Sequence, residues 1–250
     1  MIRSLYTVNR TMNVLQKHQE NTSGNLANSN TSGYKFKTIM QSTLEPYEMI
    51  NHAGGKNKDK RQVLGEFIFG NRIDEKITNL KDGTIYETGN FTDFAIQGEG
   101  FFTIELAGGG RGYTRNGNFV IGEDGTLTTQ SGERVLGINN GNISPIYADE
   151  GFSIDQRGRV IGSNERFLIT DFDDYNALVD RGDTIFTANV GGNIVENPTV
   201  SQNYLETSNV DFTKEMVKMI EISREFESNQ KMIQSVDETL SKAVNEIGRL

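Results

Sequence analysis

The side chains best suited to chemistry are three aspartates and two histidines. Asp171, Asp173 and Asp174 form an acidic group of the kind that ligates Ca²⁺ or supplies a glycosidase carboxylate. A calcium loop, however, needs a fuller pattern of oxygen ligands and a glycine at its bend, whereas aspartate-rich turns are common. His18 and His52 have no catalytic partner near them in the sequence. We therefore predict structural or solvated roles for all five side chains.

Glycine and cysteine usage adds no further chemistry. Gly108, Gly109 and Gly110, followed by Gly112, lack the lysine and the helix start that a phosphate-binding loop needs, so they predict a hairpin tip. The chain has no cysteine, which excludes disulfides, thiol catalysis and cysteine-based zinc sites. The sequence predicts no enzyme activity, no metal and no cofactor.

Charge and hydropathy argue against two classes of partner. The formal net charge of -9 at pH 7 disfavours nucleic acid and anionic membrane surfaces, which both attract clustered lysine and arginine. The single basic group, Lys56, Lys58, Lys60 and Arg61, is predicted to be a solvated loop. No run of about 18 apolar residues occurs, so membrane insertion is not predicted.

The elements that dominate the chain lie at its two ends. From Phe212 onward, apolar residues recur at alternating steps of three and four, and only Glu215 and Asn229 interrupt the series. The positions are Phe212, Glu215, Met219, Ile222, Phe226, Asn229, Ile233, Val236, Leu240, Ala243, Ile247 and Leu250. This repeat predicts a coiled-coil helix roughly 60 Å long. Ser208 and Asp211 predict a capping box at its start.

The first helix is predicted over residues 2–26 as the partner of the last. It carries the same spacing at Leu5, Val8, Met12, Leu15 and Leu26. Five apolar residues of the last helix lie beside its main series and widen its apolar face, which predicts more than one neighbour. They are Met216, Val217, Ile220, Met232 and Val244. A helical hairpin satisfied within one molecule remains the alternative.

A defined turn is predicted after the first helix. Asn28 and Asn30 tolerate the left-handed conformation, and Gly33 supplies a positive φ. Tyr34 and Phe36 are predicted to anchor the segment on an apolar surface. Residues 36–49 then predict a short helix or an extended arm, and residues 52–60 a polar loop.

The central region predicts an all-β module. Residues 62–203 contain short β-branched or alternating runs separated by turn dipeptides such as Asn116-Gly117 and Asn140-Gly141. Strands are predicted at 94–96, 101–106, 112–115, 119–121, 127–129, 152–154, 160–161 and 167–170. The predicted fold class is α+β: long N- and C-terminal helices form a coiled-coil-like core, beside a central all-β module of short antiparallel strands. The predicted domains are 1–50 (helix, turn and arm), 51–63 (polar loop), 64–204 (β module) and 205–250 (C-terminal helix, packing with 1–30).

Three blocks of sequence resemble the bacterial flagellar axial proteins of the rod and hook. Residues 25–35 are similar to the N-terminal signature N-L-A-N-x-N-T-x-G-[FY]-K, with departures at Gly24 and Ser29. Residues 94–102, 113–117 and 124–125 resemble the central β module of these proteins. Residues 205–211, followed by 215–217 and 219–220, resemble the start of their C-terminal helix. The blocks occur in the family's order over nearly the whole sequence.

The resemblance implies a structural subunit of the flagellar basal-body rod, which transmits torque from motor to hook. The terminal helices of family members pack against those of neighbouring subunits to form a tubular core, outside which the β module lies. The partners it implies are copies of the same protein, other rod and hook axial proteins and the flagellar type III export apparatus, with peptidoglycan or bushing rings as further candidates. The implied location is the extracytoplasmic basal body, reached without a cleaved signal peptide.

These expectations define a candidate assembly interface. It consists of Leu5, Val8, Met12, Leu15, Leu26, Asn28, Asn30, Gly33, Tyr34, Phe212, Met219, Ile222, Phe226, Ile233, Val236, Leu240 and Ile247. The subtype stays open. Residues 1–6 resemble the start of the distal rod protein, whereas residues 224–227 are closer to a proximal one.

Two other classes of function remain as alternatives. The first is a secreted oligomeric β module that binds cell-wall glycan or a host surface, for which Tyr86, Tyr113 and Tyr147 are the candidate aromatics. The second is a wall-degrading enzyme, which would need two carboxylates about 5 to 9.5 Å apart in a cleft.

Overall fold

The computed structural model describes residues 2–53, 60–149 and 151–247. Within these ranges the protein forms two α-helices, nineteen β-strands and one 3-10 helix. The helices are α1 (Ile2–Ala27) and α2 (Phe212–Ile247), and the 3-10 helix is Tyr175–Ala177. The strands are β1 (Lys37–Thr43), β2 (Tyr47–Ala53), β3 (Lys60–Phe67), β4 (Asn71–Thr78), β5 (Ile85–Glu87), β6 (Phe94–Gln97), β7 (Phe101–Glu105), β8 (Arg111–Thr114), β9 (Val120–Ile121), β10 (Leu127–Thr128), β11 (Arg134–Asn139), β12 (Asn142–Pro145), β13 (Glu165–Phe167), β14 (Ile169–Asp171), β15 (Leu178–Gly182), β16 (Ile185–Ala188), β17 (Asn193–Ile194), β18 (Thr199–Gln202) and β19 (Tyr204–Glu206).

The fold is α+β, with an N-terminal helix, a C-terminal helix and a central antiparallel β module, as predicted. The protein divides into two compact units. The described residues of the first, here called the helical unit, are 2–27, 37–53, 60–78 and 211–247. Those of the second, here called the β module, are 28–36, 79–149 and 151–210.

In the helical unit, α1 and α2 pack against each other in antiparallel directions. The Asn25 side chain near the end of α1 donates a hydrogen bond to Glu215 Oε2 near the start of α2, at 3.0 Å. Further back along α1, Leu15 and His18 lie beside Ile222. The apolar spacing of both helices explains this contact, because a three-four repeat places its members on one face.

The start of α2 corrects one prediction. Asp211 is itself the residue that caps the helix, since its Oδ1 accepts a hydrogen bond from the Lys214 amide at 3.1 Å. Ser208 Oγ instead accepts from the nearby Val210 amide at 3.3 Å. The predicted capping box placed the helix start three residues too early.

A β-ribbon completes the helical unit. Strand β1 pairs with β4, and β2 pairs with β3, all antiparallel. Strands β1 and β4 both contact α1. The extended form of the predicted arm is therefore confirmed. Strands β2 and β3 enter the predicted polar loop from both sides, while residues 54–59, with Lys56 and Lys58, lie outside the described residues.

The β module is built around one large sheet. Its main strand order is β15-β16-β8-β7-β11-β10-β9; β12 and β13 also pair with β11, β14 with β7, and β17 with β14. Two further pairs, β6 with β18 and β5 with β19, lie outside this sheet. The buried core is mainly aromatic and branched: Phe94, Ile96, Phe102, Ile104, Phe119, Leu127, Val135, Ile146, Ala148, Phe152, Phe167, Ile169, Ile185 and Val200.

Most predicted strands are found, with two exceptions. The segments 152–154 and 160–161 form only a single bridge between Ile154 and Val160. Phe152, Ile154 and Val160 pack in or against the core without extended pairing, whereas Ile161 is exposed, so burial and not a strand explains these apolar residues. Strands β5, β11, β12 and β15 to β19 of the β module had not been predicted.

Candidate functional site

The apolar series of α2 is only partly covered in the described part of the protein. Ile222 is buried, with 6% of its surface exposed. The side chains of Met219, Phe226, Ile233, Val236 and Leu240 are half-buried. Phe212 is exposed, and nothing is described of the Ile247 side chain. Among the described members of the series, Ile222 is therefore the most completely covered, and the residues on either side of it retain exposed surface.

The predicted α1 residues lie on the side of that helix that is less exposed. Val8 and Leu15 are buried, and Leu5, Met12 and Leu26 are half-buried. The five apolar residues beside the main series of α2 remain exposed. They are Met216, Val217, Ile220, Met232 and Val244, with 44–70% of their surface accessible.

A polar contact fixes the end of α1 beside the start of α2. Asn25 Nδ2 donates to Glu215 Oε2 at 3.0 Å and to the Lys37 carbonyl at 2.8 Å. Asn25 Oδ1 accepts from the Lys37 amide at 3.1 Å, and Asn21 Nδ2 donates to the same carbonyl at 2.7 Å. Asn25 and Glu215 are both buried. This one asparagine therefore joins α1, α2 and the first residue of β1.

The turn after α1 belongs to the β module. Asn28 accepts hydrogen bonds from Thr31 at both its backbone and its side-chain oxygen. Gly33 has φ +68°, and a Cβ there would collide with the backbone of Arg115 and Asn116. Tyr34 is buried, as predicted for an anchor, whereas Asn30 is exposed.

The next residue of the turn enters a buried cluster of charges, here called the ionic junction (Lys35, Arg115 and Glu206). Lys35 Nζ lies 2.6 Å from Glu206 Oε1, and each of these two side chains is 1% exposed. Arg115 Nη1 lies 3.4 Å from Glu206 Oε2. Burial lowers the pKa of Lys35 below its usual value, and the charge of Glu206 opposes that shift.

The remaining contacts of the ionic junction are to the backbone and to aromatic carbon. Lys35 Nζ also donates to the Lys81 carbonyl at 2.8 Å, and the Gly83 amide donates to Glu206 Oε1 at 2.8 Å. Arg115 Nη2 donates to the Gly98 carbonyl at 2.7 Å, and its guanidinium lies 5.3 Å from the centre of the Phe101 ring.

A neighbouring asparagine extends the same attachment. Asn209 Oδ1 accepts from the Phe36 amide at 2.6 Å. Its Nδ2 donates to the carbonyls of Asn79 and Lys81, each at 2.8 Å. Segments far apart in the sequence, near residues 35, 80, 115 and 206, are thus held together by side chains.

Sequence reasoning missed the ionic junction. Each of its three residues lies in a different one of the three blocks that resemble the axial proteins. Lys35 ends the first block, Arg115 lies in the second, and Glu206 lies in the third. Lys35 is the only charged residue of the first block, but the other two blocks contain further charged residues, so the sequence carried no clear signal for this cluster.

The side chains considered for chemistry have structural partners. Asp171 accepts from the Tyr175 hydroxyl at 2.8 Å, Asp173 from Asn193 at 3.1 Å, and Asp174 from the Asn176 amide at 2.9 Å. Within the described ranges, no group of three or more His, Cys, Asp or Glu residues could hold a metal ion.

The two histidines are not brought together. His18 is a half-buried residue of α1 on the side that faces α2. Its pKa is lowered mainly by burial and secondly by the charge of Lys218. His52 lies in β2, and nothing is described of its side chain.

The three tyrosines named for the glycan-binding alternative do not form one exposed platform. Tyr86 and Tyr147 are exposed, but Tyr113 is only 6% exposed and packs edge-on against Phe172, with ring centres 4.8 Å apart.

Comparison with protein families matches the three parts of the sequence separately. Residues 5–35 match the family described as flagella basal body rod protein. Residues 95–162 match the D1 domain of the flagellar hook protein FlgE/F/G. Residues 201–246 match the C-terminal region of the flagellar basal body rod FlgEFG proteins. Together with the fold, these matches define an axial protein of the bacterial flagellum.

Relatives that match over nearly their whole length support the same assignment. The flagellar basal-body rod protein FlgG of Bacillus subtilis is 32% identical over 98% of this chain and 99% of its own length. FlgG of Agrobacterium fabrum is 34% identical over 96% of this chain and 97% of its own length. FlgF of Caulobacter vibrioides is 30% identical over the full length of both proteins.

The chain belongs to the flagellar basal-body rod proteins and is a structural subunit of the rod. Membership implies assembly with other flagellar rod and hook proteins in the basal body. The family is structural and is not a known enzyme family. No comparison supports the alternative of a glycan-binding module. Neither helix, within the described residues, is long and apolar enough to cross a membrane.

Proposed function

We propose that this subunit polymerises through its terminal helices, which pack with those of neighbouring copies into a coiled-coil-like core. The observation that carries the proposal is the incomplete coverage of α2. Phe226, Ile233, Val236 and Leu240 are only half-buried in the single subunit. Neighbouring helices would remove these side chains from water, at about 25 cal/mol per Å² of apolar surface.

Additional neighbours would also cover the apolar residues outside the main series. Met216, Val217 and Ile220 near the start of α2 are exposed, and so are Met232 and Val244 further along it. A surface of this width is too large for one partner helix, which favours a packed array over an isolated dimer. Many helix contacts in parallel would share the load when the rod transmits torque from motor to hook.

The residues predicted as an assembly interface divide into two roles in this proposal. The apolar members of α1 and α2 form the contact surface. In the β module, the exposed Asn30 is proposed as a separate contact with neighbouring subunits, and Asn28, Gly33 and Tyr34 fix the turn that carries it.

The decisive variant is Ile233→Asp. We expect it to abolish assembly, because a carboxylate at the centre of a helix contact is buried without a partner. The β module should stay folded, since Ile233 is not part of it. Motility of cells that carry only the variant, together with hydrogen exchange of the purified protein, measures both effects.

The neighbouring exposed residue provides the control. Gln234→Asp introduces the same side chain one position along α2, where the native residue is already exposed. This variant should assemble and support motility. Motile cells carrying Ile233→Asp would refute the proposal, and so would equal loss of motility in both variants.

We further propose that the protein reaches the basal body through the flagellar type III apparatus without cleavage of a signal peptide. The N-terminal segment supports this, because α1 is amphipathic, whereas a signal peptide carries a continuous apolar region. N-terminal sequencing of subunits recovered from basal bodies tests it, and a start after α1 would refute it. Peptidoglycan and the bushing rings are proposed as contacts of the β module. We propose no catalytic role; Asp171, Asp173 and Asp174 are hydrogen-bonded to Tyr175, Asn193 and Asn176.

A further inference from the structure

We propose that Asn140 is a site of spontaneous deamidation in the folded subunit, and that the fold protects the other Asn-Gly pair, Asn116-Gly117. Asparagine followed by glycine is the dipeptide most prone to this reaction, because glycine leaves the following amide nitrogen unhindered. The sequence contains two such pairs, and their structural settings differ.

Asn140 and Gly141 form the tip of the hairpin between β11 and β12. Asn139 pairs with Asn142, so the loop has two residues. The φ angles of Asn140 and Gly141 are +49° and +87°, which are the positive values that the commonest two-residue hairpins require. Both residues are exposed.

Few hydrogen bonds restrain this hairpin tip. Among the described residues, the Asn140 side chain has no hydrogen-bond partner. Strand β12 pairs only with β11 within the described sheet. Local opening of the tip therefore breaks few contacts, and opening gives the backbone the freedom that ring closure requires.

Hydrogen bonds and close packing restrain Asn116 and Gly117. Asn116 Oδ1 accepts from the Asn118 amide at 3.1 Å, and the Asn116 amide donates to Thr114 Oγ1 at 3.0 Å. The Gly117 carbonyl accepts from the Phe94 amide at 3.0 Å. Gly117 is buried, and a Cβ there would collide with the Phe94 carbonyl. Ring closure at Asn116 therefore requires this part of the β module to unfold.

The reaction needs only water and hydroxide. Hydroxide removes the proton of the Gly141 amide, and the nitrogen attacks Cγ, the carboxamide carbon of Asn140. A new C–N bond forms, the bond from Cγ to Nδ2 breaks, and ammonia leaves with a proton from water. Water then opens the cyclic imide at either carbonyl, which yields aspartate or isoaspartate.

Either product changes the subunit. Both products add one negative charge to a protein whose net charge is already -9. Isoaspartate also lengthens the backbone of a loop whose two residues set the register from Asn139↔Asn142 to Leu136↔Pro145. A subunit kept in an assembly would accumulate this change with age.

The test follows both sites in the purified full-length protein. The folded protein is incubated at mildly alkaline pH in water labelled with heavy oxygen, and peptides are mapped by mass spectrometry. We expect amide loss at Asn140 to be on the order of tenfold faster than at Asn116, or more, because the exposed tip opens at lower free-energy cost. Asn140→Gln should stop the reaction at this site, because its ring would have six members and closes slowly.

The same protein in concentrated urea is the matched control. There the two Asn-Gly pairs have equal freedom, so their rates should converge. The proposal is overturned if both sites react equally fast in the folded protein, or if Asn140 stays intact for as long as Asn116. It is also overturned if the difference persists in urea, since the fold would then not be its cause.

Discussion

Lys35 and Glu206 are charged side chains that have almost no contact with water. Removing two charges from water costs several kcal/mol each, and only their mutual attraction and further hydrogen bonds offset that cost. Lys35 Nζ is bonded to Glu206 and to the Lys81 carbonyl, and Glu206 also accepts from the Gly83 amide. The pair is therefore costly to disrupt from either side.

We predict that Lys35→Met lowers the free energy of unfolding of the β module by about 3 kcal/mol, near the lower end of the range for broken buried pairs. The loss is large because Glu206 keeps its charge in a buried site. It is not larger because Arg115 Nη1 still lies 3.4 Å from Glu206. Urea unfolding followed by circular dichroism measures the difference.

An exposed ion pair of the same length is the control. Lys17 Nζ lies 2.7 Å from Glu20 Oε2, but the two side chains are 57% and 50% exposed. Lys17→Met should therefore change stability by about 0–1 kcal/mol. Equal losses in the two variants would contradict the account, because burial would then not determine the effect.

Among the elements, the contact between α1 and α2 contains a titratable group, His18. Burial and the charge of Lys218 lower its pKa in the folded protein, while Gln41 and Glu225 oppose this. Between that lowered pKa and the ordinary value of 6.5, the unfolded protein binds the proton more readily. The stability of this contact therefore rises with pH through that window, and acidification reduces it.

We predict that the amides of α1 exchange faster, relative to their intrinsic rates, at about pH 5 than at about pH 7. His18→Gln keeps a polar side chain and removes the titration, so the variant should lose most of this dependence. An unchanged pH response in His18→Gln would show that His18 is not the cause of the dependence.

The elements also show what the sequence predicts well. The long C-terminal helix was predicted because its apolar repeat from Phe212 onward is long and regular, and only a helix accounts for such a repeat. The sequence did not distinguish a helix from an extended arm over residues 36–49, because residues 37–43 are mainly polar and their apolar residues have no clear periodicity. Strands β1 and β2 are fixed by pairing with β4 and β3, whose partner residues lie 7 to 41 positions later, and no local pattern encodes that pairing.

For the whole molecule, the β module is assembled from separate stretches of sequence. It includes residues 28–36, which precede the ribbon, as well as 79–210. The ionic junction joins the first stretch to the end of the second. The three blocks of similarity contain Lys35, Arg115 and Glu206 but gave no sign that these residues meet. Arg115 and Lys35 contact Glu206 across 91 and 171 residues, and such contacts leave no trace in local spacing.

We predict that a protein ending at Val210 keeps a folded β module, since α2 is not part of that unit. A protein ending at Asn203 loses β19, Glu206 and Asn209, and leaves Lys35 without its carboxylate. Amides of β7 should then lose protection from exchange by on the order of 100-fold, equivalent to about 3 kcal/mol.

Both truncated proteins lack α2, so any difference in protection between them is due to residues 204–210, which include Glu206 of the ionic junction. Equal protection of β7 in the two would show that the module closes without residues 204–210. Loss of protection in both would show that α2 is needed for the β module to fold.

The helical unit has unequal ends. Helix α1 has 26 residues and α2 has 36, and the antiparallel pair starts level where Asn25 meets Glu215. The difference, 36 − 26 = 10 residues, leaves about 15 Å of α2 beyond the start of α1. The two ends of the pair therefore differ: both helices are present at one end, and only α2 is present at the other. A second copy that covers the single helix with a different surface of its own makes a head-to-tail contact, which repeats and does not close into a twofold dimer. An assembly built from that contact would have two unlike ends.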